Sequence, residues 1–191
     1  MIVGAVVLAA GKSERMGKNN FLSSLNGKTL IENILDALTV VGINEQVVVL
    51  GNKLEEIVEV IKPRLGKVKI ALNLDGETGI IPFFQTGLMV LSKVDAAFLV
   101  LGDQPIINSN LLTTMIQKME NDADALIVSP IHNGEKGHPL LFRRQLFIEI
   151  LSLKDSQTIG DVVHAHADKL LTVEAPAWTI IDIDTSEKYP Q

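Results

Sequence analysis

Strand-like and helical patterns alternate along the whole of this 191-residue chain, and that alternation leaves few folds open. Apolar runs of one-strand length cover Ile2–Leu8, Gln46–Leu50, Val68–Leu72, Ala97–Leu101, Ala125–Ser129, Leu140–Phe142, Leu170–Val173 and Thr179–Ile183. Between them, helical patterns cover Thr29–Val41, Lys53–Ile61, Phe83–Lys93, Ser109–Asn121, Arg143–Leu151 and Gln157–Ala167. In the first helix Leu30, Ile31, Ile34, Leu35 and Leu38 keep a helical period. Val47, Val48 and Val49 are continuous rather than alternating, as in a strand covered on both faces. The pattern predicts a doubly wound, Rossmann-like α/β fold with a mostly parallel sheet. Ligands of such sheets sit outside the carboxyl ends of the strands. No repeat, low-complexity tract or linker interrupts the chain, so one domain over residues 1–191 is expected.

Composition excludes several classes. Apolar residues make up 47% of the chain and charged residues 21%, a globular balance. No apolar run reaches the roughly 18 residues of a membrane span. The first strand has no basic segment before it, as a signal peptide would. Cysteine is absent, which removes disulfides and thiolate metal sites and fits a reducing cytoplasm. A net charge of −6 argues against general nucleic-acid binding.

The chemistry gathers at strand ends. The first apolar run flows into Leu8-Ala9-Ala10-Gly11-Lys12-Ser13-Glu14-Arg15-Met16-Gly17. Small residues leave main-chain N–H groups uncovered, and such groups cradle phosphate oxygens. Arg15 adds a planar cation suited to phosphate. This is not a P-loop, because Val6 stands where the first glycine must be. Gly4, Gly11 and Gly17 also miss the dinucleotide spacing. An ordinary strand-to-helix loop uses Gly and Ser too, so the loop needs support from elsewhere.

That support comes from two acidic strand ends. Leu99-Val100-Leu101-Gly102-Asp103-Gln104-Pro105 ends a strand in a carboxylate that can serve Mg²⁺, which takes one or two carboxylates beside phosphates and water. The competing reading is a turn or helix-capping Asp, though Asn108 or Ser109 can already cap the next helix. Asp182 and Asp184 lie two apart on the last strand-like run and share a face if it is a strand. Alone they read as solvated; with Asp103 they suggest a divided metal site. Gly137-His138-Pro139 precedes a short strand and offers an imidazole that suits either a substrate or a surface hydrogen bond. His132, His164 and His166 form no metal set by spacing.

These clusters, in this order, resemble the MobA-like molybdopterin nucleotidyltransferases, most of all their cytidylyltransferase-type branch. Leu8–Gly17 match the family's LAAGxSxRMG, Leu101–Pro105 its LGDQP, Gly137–Pro139 its GHP, and Asp182–Glu187 its DIDTPED, with Ser186 where proline is usual. The resemblance implies a nucleotide-diphospho-sugar transferase-like fold. It implies transfer of CMP or GMP from CTP or GTP to a phosphorylated acceptor, molybdopterin first, with Mg²⁺. On this view Leu8, Ala9, Ala10, Gly11 and Ser13 hold the nucleotide, and Arg15 holds the triphosphate. Asn73 meets the base, in the segment before Gly79. Asp103 holds the metal with Asp184 or Asp182. Arg15 and Asp103 then carry catalysis, and a molybdoenzyme or cofactor-insertion protein is the implied partner.

Two departures stand out. Asn20 occupies the place of a family lysine that neutralises the triphosphate, and a neutral amide cannot replace that charge. Ile80-Ile81-Pro82-Phe83-Phe84 replaces a serine-rich MSSSL segment ahead of Gly87-Leu88. Two alternatives therefore stay open: a sugar-phosphate or alditol nucleotidyltransferase, and a nucleotide-binding protein with little turnover.

Overall fold

The computed structural model describes residues 1–9, 20–25, 27–43, 45–51, 55–73, 79–104, 107–154 and 156–180. Its centre is β1 (Val3–Ala9), buried along its whole length. Parallel neighbours flank β1 on both sides, β4 (Glu45–Leu50) on one and β6 (Ala96–Leu101) on the other. β5 (Val68–Leu72) pairs in parallel with β4 and forms one edge. Beyond β6 lies β9 (Leu140–Arg143), antiparallel to β6 and to β7 (Ile127–His132). β10 (Leu170–Glu174) then closes the other edge in parallel with β7. A two-residue strand β8 (Glu135–Lys136) folds back on β7. The sheet order is β10-β7-β9-β6-β1-β4-β5, and β2 (Ser24–Leu25) with β3 (Lys28–Thr29) forms a separate small ribbon.

Alternation along β1 explains the two apolar layers. Val3, Ala5, Val7 and Ala9 face the side covered by α1 (Leu30–Val40), α2 (Glu55–Ile61) and α4 (Ser109–Asn121). Val6 and Leu8 face α3 (Ile80–Val90), α5 (Phe147–Leu151) and α6 (Ile159–Ala165). Helices on both faces of a mostly parallel sheet make the doubly wound α/β architecture that the alternation predicts. Among the described residues no helix is long and apolar enough to cross a membrane.

Three expected elements move. The run Ala125–Ser129 becomes a strand at Ile127–His132. Pro130 lies beyond the β9 pairing, which covers only Ile127 and Val128, and stays in register with Val173 of β10. Helix α3 starts at Ile80, three residues before the expected Phe83, since Pro82 lies in the first turn where no N–H is needed. The expected strand Thr179–Ile183 does not form over its first two residues. Ala177–Ile180 is a 3₁₀ turn, closed by the Thr179 N–H and hydroxyl on the Pro176 carbonyl. Residues 181–183 lie outside the described residues.

Candidate active site

Chain order reverses direction at β1. After β1 the chain adds β4 and β5 on one side, then returns through α3 to lay β6 on the other. The carboxyl ends of β1 and β6 therefore border a topological switch point, where such sheets bind ligands. The register pairs Leu8 with Leu101, so the chain beyond each strand leaves from the same edge.

The two strand ends are tied together closely. The Gly102 N–H donates to the Leu8 carbonyl at 2.9 Å, which extends the ladder by one rung. A Cβ at Gly102 would lie 2.6 Å from that carbonyl oxygen and 3.0 Å from the Phe21 ring, so only glycine permits this approach. Leu8 and Ala9 are buried and engaged in the sheet. Their side chains line nothing open. Ala10, Gly11, Ser13 and Arg15 lie outside the described residues, as do Lys12 and Lys18.

Asp103 sits in a turn closed by the Gln104 N–H on the Leu101 carbonyl, and it is half-buried at the sheet edge. Capping of α4 is done by Asn108, whose side chain accepts from the Asn110 N–H at 2.8 Å. Asp103 is thus not the cap of α4. The neighbouring Gln104 is a residue that sequence reasoning passed over as part of LGDQP. Its side chain is only 3% exposed. Its Nε2 donates to the His138 carbonyl at 2.7 Å and reaches the Thr179 carbonyl at 3.5 Å.

Those bonds draw in two distant segments. Thr179 also accepts from the His138 N–H at 2.9 Å. A Cβ at Gly137 would run into the Thr179 carbonyl, so this glycine lets the 177–180 turn seat against the strand end. The peptide between His138 and Pro139 is cis. Asp182 and Asp184 lie outside the described residues, but the chain that carries them leaves from this seated turn.

Asn73 and Gly79 stand on the other side of β1. Asn73 extends the β4–β5 pairing through its N–H on the Leu50 carbonyl at 2.9 Å, and its side chain is nearly buried. Gly79, with φ 122° and ψ 171°, opens α3 in a conformation that glycine alone adopts easily. The apolar departure is now explained in part: Ile81, Phe83 and Phe84 are buried in the α3 layer, while Ile80 stays exposed.

A divalent hard cation fits this edge. Asp103 offers a hard carboxylate at a strand end where two backbones already approach closely. Among the described residues no group of three or more His, Cys, Asp or Glu could hold a metal. His132 bonds the Ala175 carbonyl and His166 bonds Glu149, each at 2.8 Å. At the opposite end of the strands, a hollow lined by Asp95, Glu120, Arg143 and Arg144 has a structural use. There Arg143 bonds the carbonyls of Met119, Asp122 and Ala125, which closes the end of α4.

The fold is the doubly wound sheet of the nucleotide-diphospho-sugar transferases, and the family model makes the chain a nucleotidyltransferase. The chain belongs to the MobA-like NTP transferase domain family, whose model matches residues 5–170. A bifunctional protein GlmU of Exiguobacterium sibiricum is 33% identical over 93% of this chain, which spans 38% of that relative. A probable molybdenum cofactor guanylyltransferase of Bacillus cereus is 27% identical over 97% of this chain and 93% of its own length. Among solved structures, Rv0371c of Mycobacterium tuberculosis superposes with a TM-score of 0.83 at 23% identity, covering 98% of this chain and 94% of its own. The same protein has been solved as a manganese complex. At that identity the likeness speaks for the fold alone.

Proposed function

We propose that this chain moves CMP or GMP from an NTP to a phosphorylated acceptor, with molybdopterin the leading acceptor, and releases pyrophosphate. The observation that supports this best is the meeting of Leu8, Gly102–Asp103, Gly137–His138 and the 177–180 turn at one switch-point edge. An oxygen of the acceptor phosphate attacks the α-phosphorus of the NTP. The bond from that phosphorus to the bridging oxygen of the β-phosphate breaks, and pyrophosphate leaves. The protein's part is positioning and charge neutralisation.

In this reading the backbone of Leu8–Gly11 with Ser13 seats the nucleotide, and Arg15 meets the triphosphate. Asn73 and the Gly79 bend face the base. Asp103 with Asp184 or Asp182 holds Mg²⁺, which would screen phosphate charge. Thr179 and Asp182 are three residues apart, so about 10 Å of chain at most separates the seated turn from that carboxylate. The relative named guanylyltransferase favours GTP, while the motif pattern favours CTP. The GlmU likeness keeps a sugar-phosphate acceptor as the second reading. We place the reaction in the cytoplasm and the whole chain in one domain, with a molybdoenzyme or cofactor-insertion protein as partner if molybdopterin is the acceptor.

Calorimetry with each NTP, with and without Mg²⁺, tests the site. Binding of CTP or GTP should require Mg²⁺, and Asp103→Ala should abolish this Mg²⁺-dependent binding while the fold survives. Equal Mg²⁺ dependence in the variant would place the metal elsewhere. No binding of any NTP at millimolar concentration would sink the nucleotide reading.

A further inference from the structure

We propose that Gln104 is a positioning residue that holds the Asp103 turn against the 177–180 turn, and so sets the geometry of the metal site. The inference rests on the reading of Asp103 as a metal ligand.

Glutamine is seldom buried. This one is buried, and its Oε1 has no hydrogen-bond partner among the described residues. A buried acceptor left unpaired lowers stability, so an apolar side chain of the same length would serve packing better. What the amide supplies instead is a pair of donors on one nitrogen. They reach the carbonyls of His138 and Thr179, which lie 34 and 75 residues further along the chain. Three segments distant in sequence meet at this one group, directly after Asp103.

The Thr179 carbonyl is held from two further directions. The His138 N–H donates to it, and it rests where Gly137 has no Cβ. Thr179 stands three residues before Asp182 in the sequence. Loss of the Gln104 donors frees this carbonyl on one side. A Cβ at Gly137 displaces it from the other and leaves Gln104 intact. Two unlike substitutions should therefore give one phenotype. Residues that orient metal ligands without touching the metal typically change metal affinity by about 10–100-fold when altered.

The test compares wild type, Gln104→Met, Gly137→Ala and Asp103→Ala. The probe is Mn²⁺, added alone and with GTP, and free Mn²⁺ is read by electron paramagnetic resonance. Amide exchange at His138 and the thermal midpoint are measured on the same samples. Gln104→Met should stay folded, exchange the His138 amide faster, and bind Mn²⁺ about tenfold or more weakly. Turnover should fall in kcat with KM for the NTP little changed. Gly137→Ala should show the same pattern. If Asp103→Ala loses Mn²⁺ while Gln104→Met binds it and turns over as wild type does, the proposal is overturned and the site reading stands. If Asp103→Ala itself binds Mn²⁺ normally, the site reading fails and takes the proposal with it. If Gln104→Met fails to fold, the residue's main role is stability, and the proposal is wrong.

Discussion

Asn20 is the residue on which turnover should depend most. It opens a 3₁₀ turn, Asn20–Leu22, and the ring of its neighbour Phe21 rests over Gly102. Residue 20 therefore stands one position from a side chain packed on the Asp103 strand end. On the proposed reading, an amide where the family motif carries lysine leaves the triphosphate under-neutralised as charge moves onto pyrophosphate. Removing such a contact typically costs about 10²–10³ in rate. The expected outcome is slow pyrophosphate release by the wild type and a gain of order 10²-fold in Asn20→Lys, measured by coupled pyrophosphate assay. Fast wild-type turnover, unchanged in Asn20→Lys and lost in Lys18→Ala, would make Lys18 the working cation instead. At this scale the strand end that carries Asp103 was legible, because an apolar run closing in Gly-Asp marks where a buried strand stops. The contacts of Gln104 were not, since they depend on carbonyls from residues 138 and 179 that no local pattern connects.

Elements were legible where local signals were complete. Val68–Leu72 and Ser109–Asn121 form with the bounds that their patterns predict. Helix α1 shows why: Thr29 and Glu32 form a capping box, with the Thr29 N–H on the Glu32 carboxylate at 2.9 Å and the Glu32 N–H on the Thr29 hydroxyl. The Thr29 amide, then its hydroxyl, hold the Glu32 carboxyl below its ordinary range, helped by Arg64. Thr29→Ala should therefore lower stability by about 1 kcal/mol, read as a shift in the urea midpoint with unchanged slope. No shift at all would mean that Glu32 and Arg64 hold the helix end without the cap. The 177–180 segment misled for the opposite reason. Its apolar run is local, but among the described residues no strand pairs with 177–180; Gly137 and His138 meet it instead.

Across the whole molecule, acid sensitivity should centre on Glu45. This residue at the start of β4 accepts from the Ser92 N–H at 2.9 Å, the Ser92 hydroxyl at 2.8 Å, the Lys93 N–H and Lys69 Nζ. The Ser92 amide foremost holds its carboxyl down to about 2, against 4.5 ordinarily. A depressed carboxyl stabilises the fold fully above its unfolded pKa. That contribution fades as pH falls from about 4.5 toward about 2. Undiluted, such a shift equals about 3 kcal/mol, and solvent access at this edge reduces it to about 1–2. Glu45→Gln should be less stable than wild type by that amount at pH 7 in urea unfolding, with the gap closing by pH 2–3. A gap that persists in acid would assign the effect to shape rather than charge. The bond also joins two elements whose adjacency no pattern predicts. Hydrophobic periodicity, caps and small-residue loops act over a few residues, so the amino-acid sequence by itself determined most element types, the α/β class and the Gly-Asp end of β6. Strand order, the antiparallel insertion of β9 between β6 and β7, and the seating of Thr179 between Gln104 and Gly137 were decided only by tertiary structure. They depend on contacts among segments tens of residues apart, whose energies arise after the chain has packed.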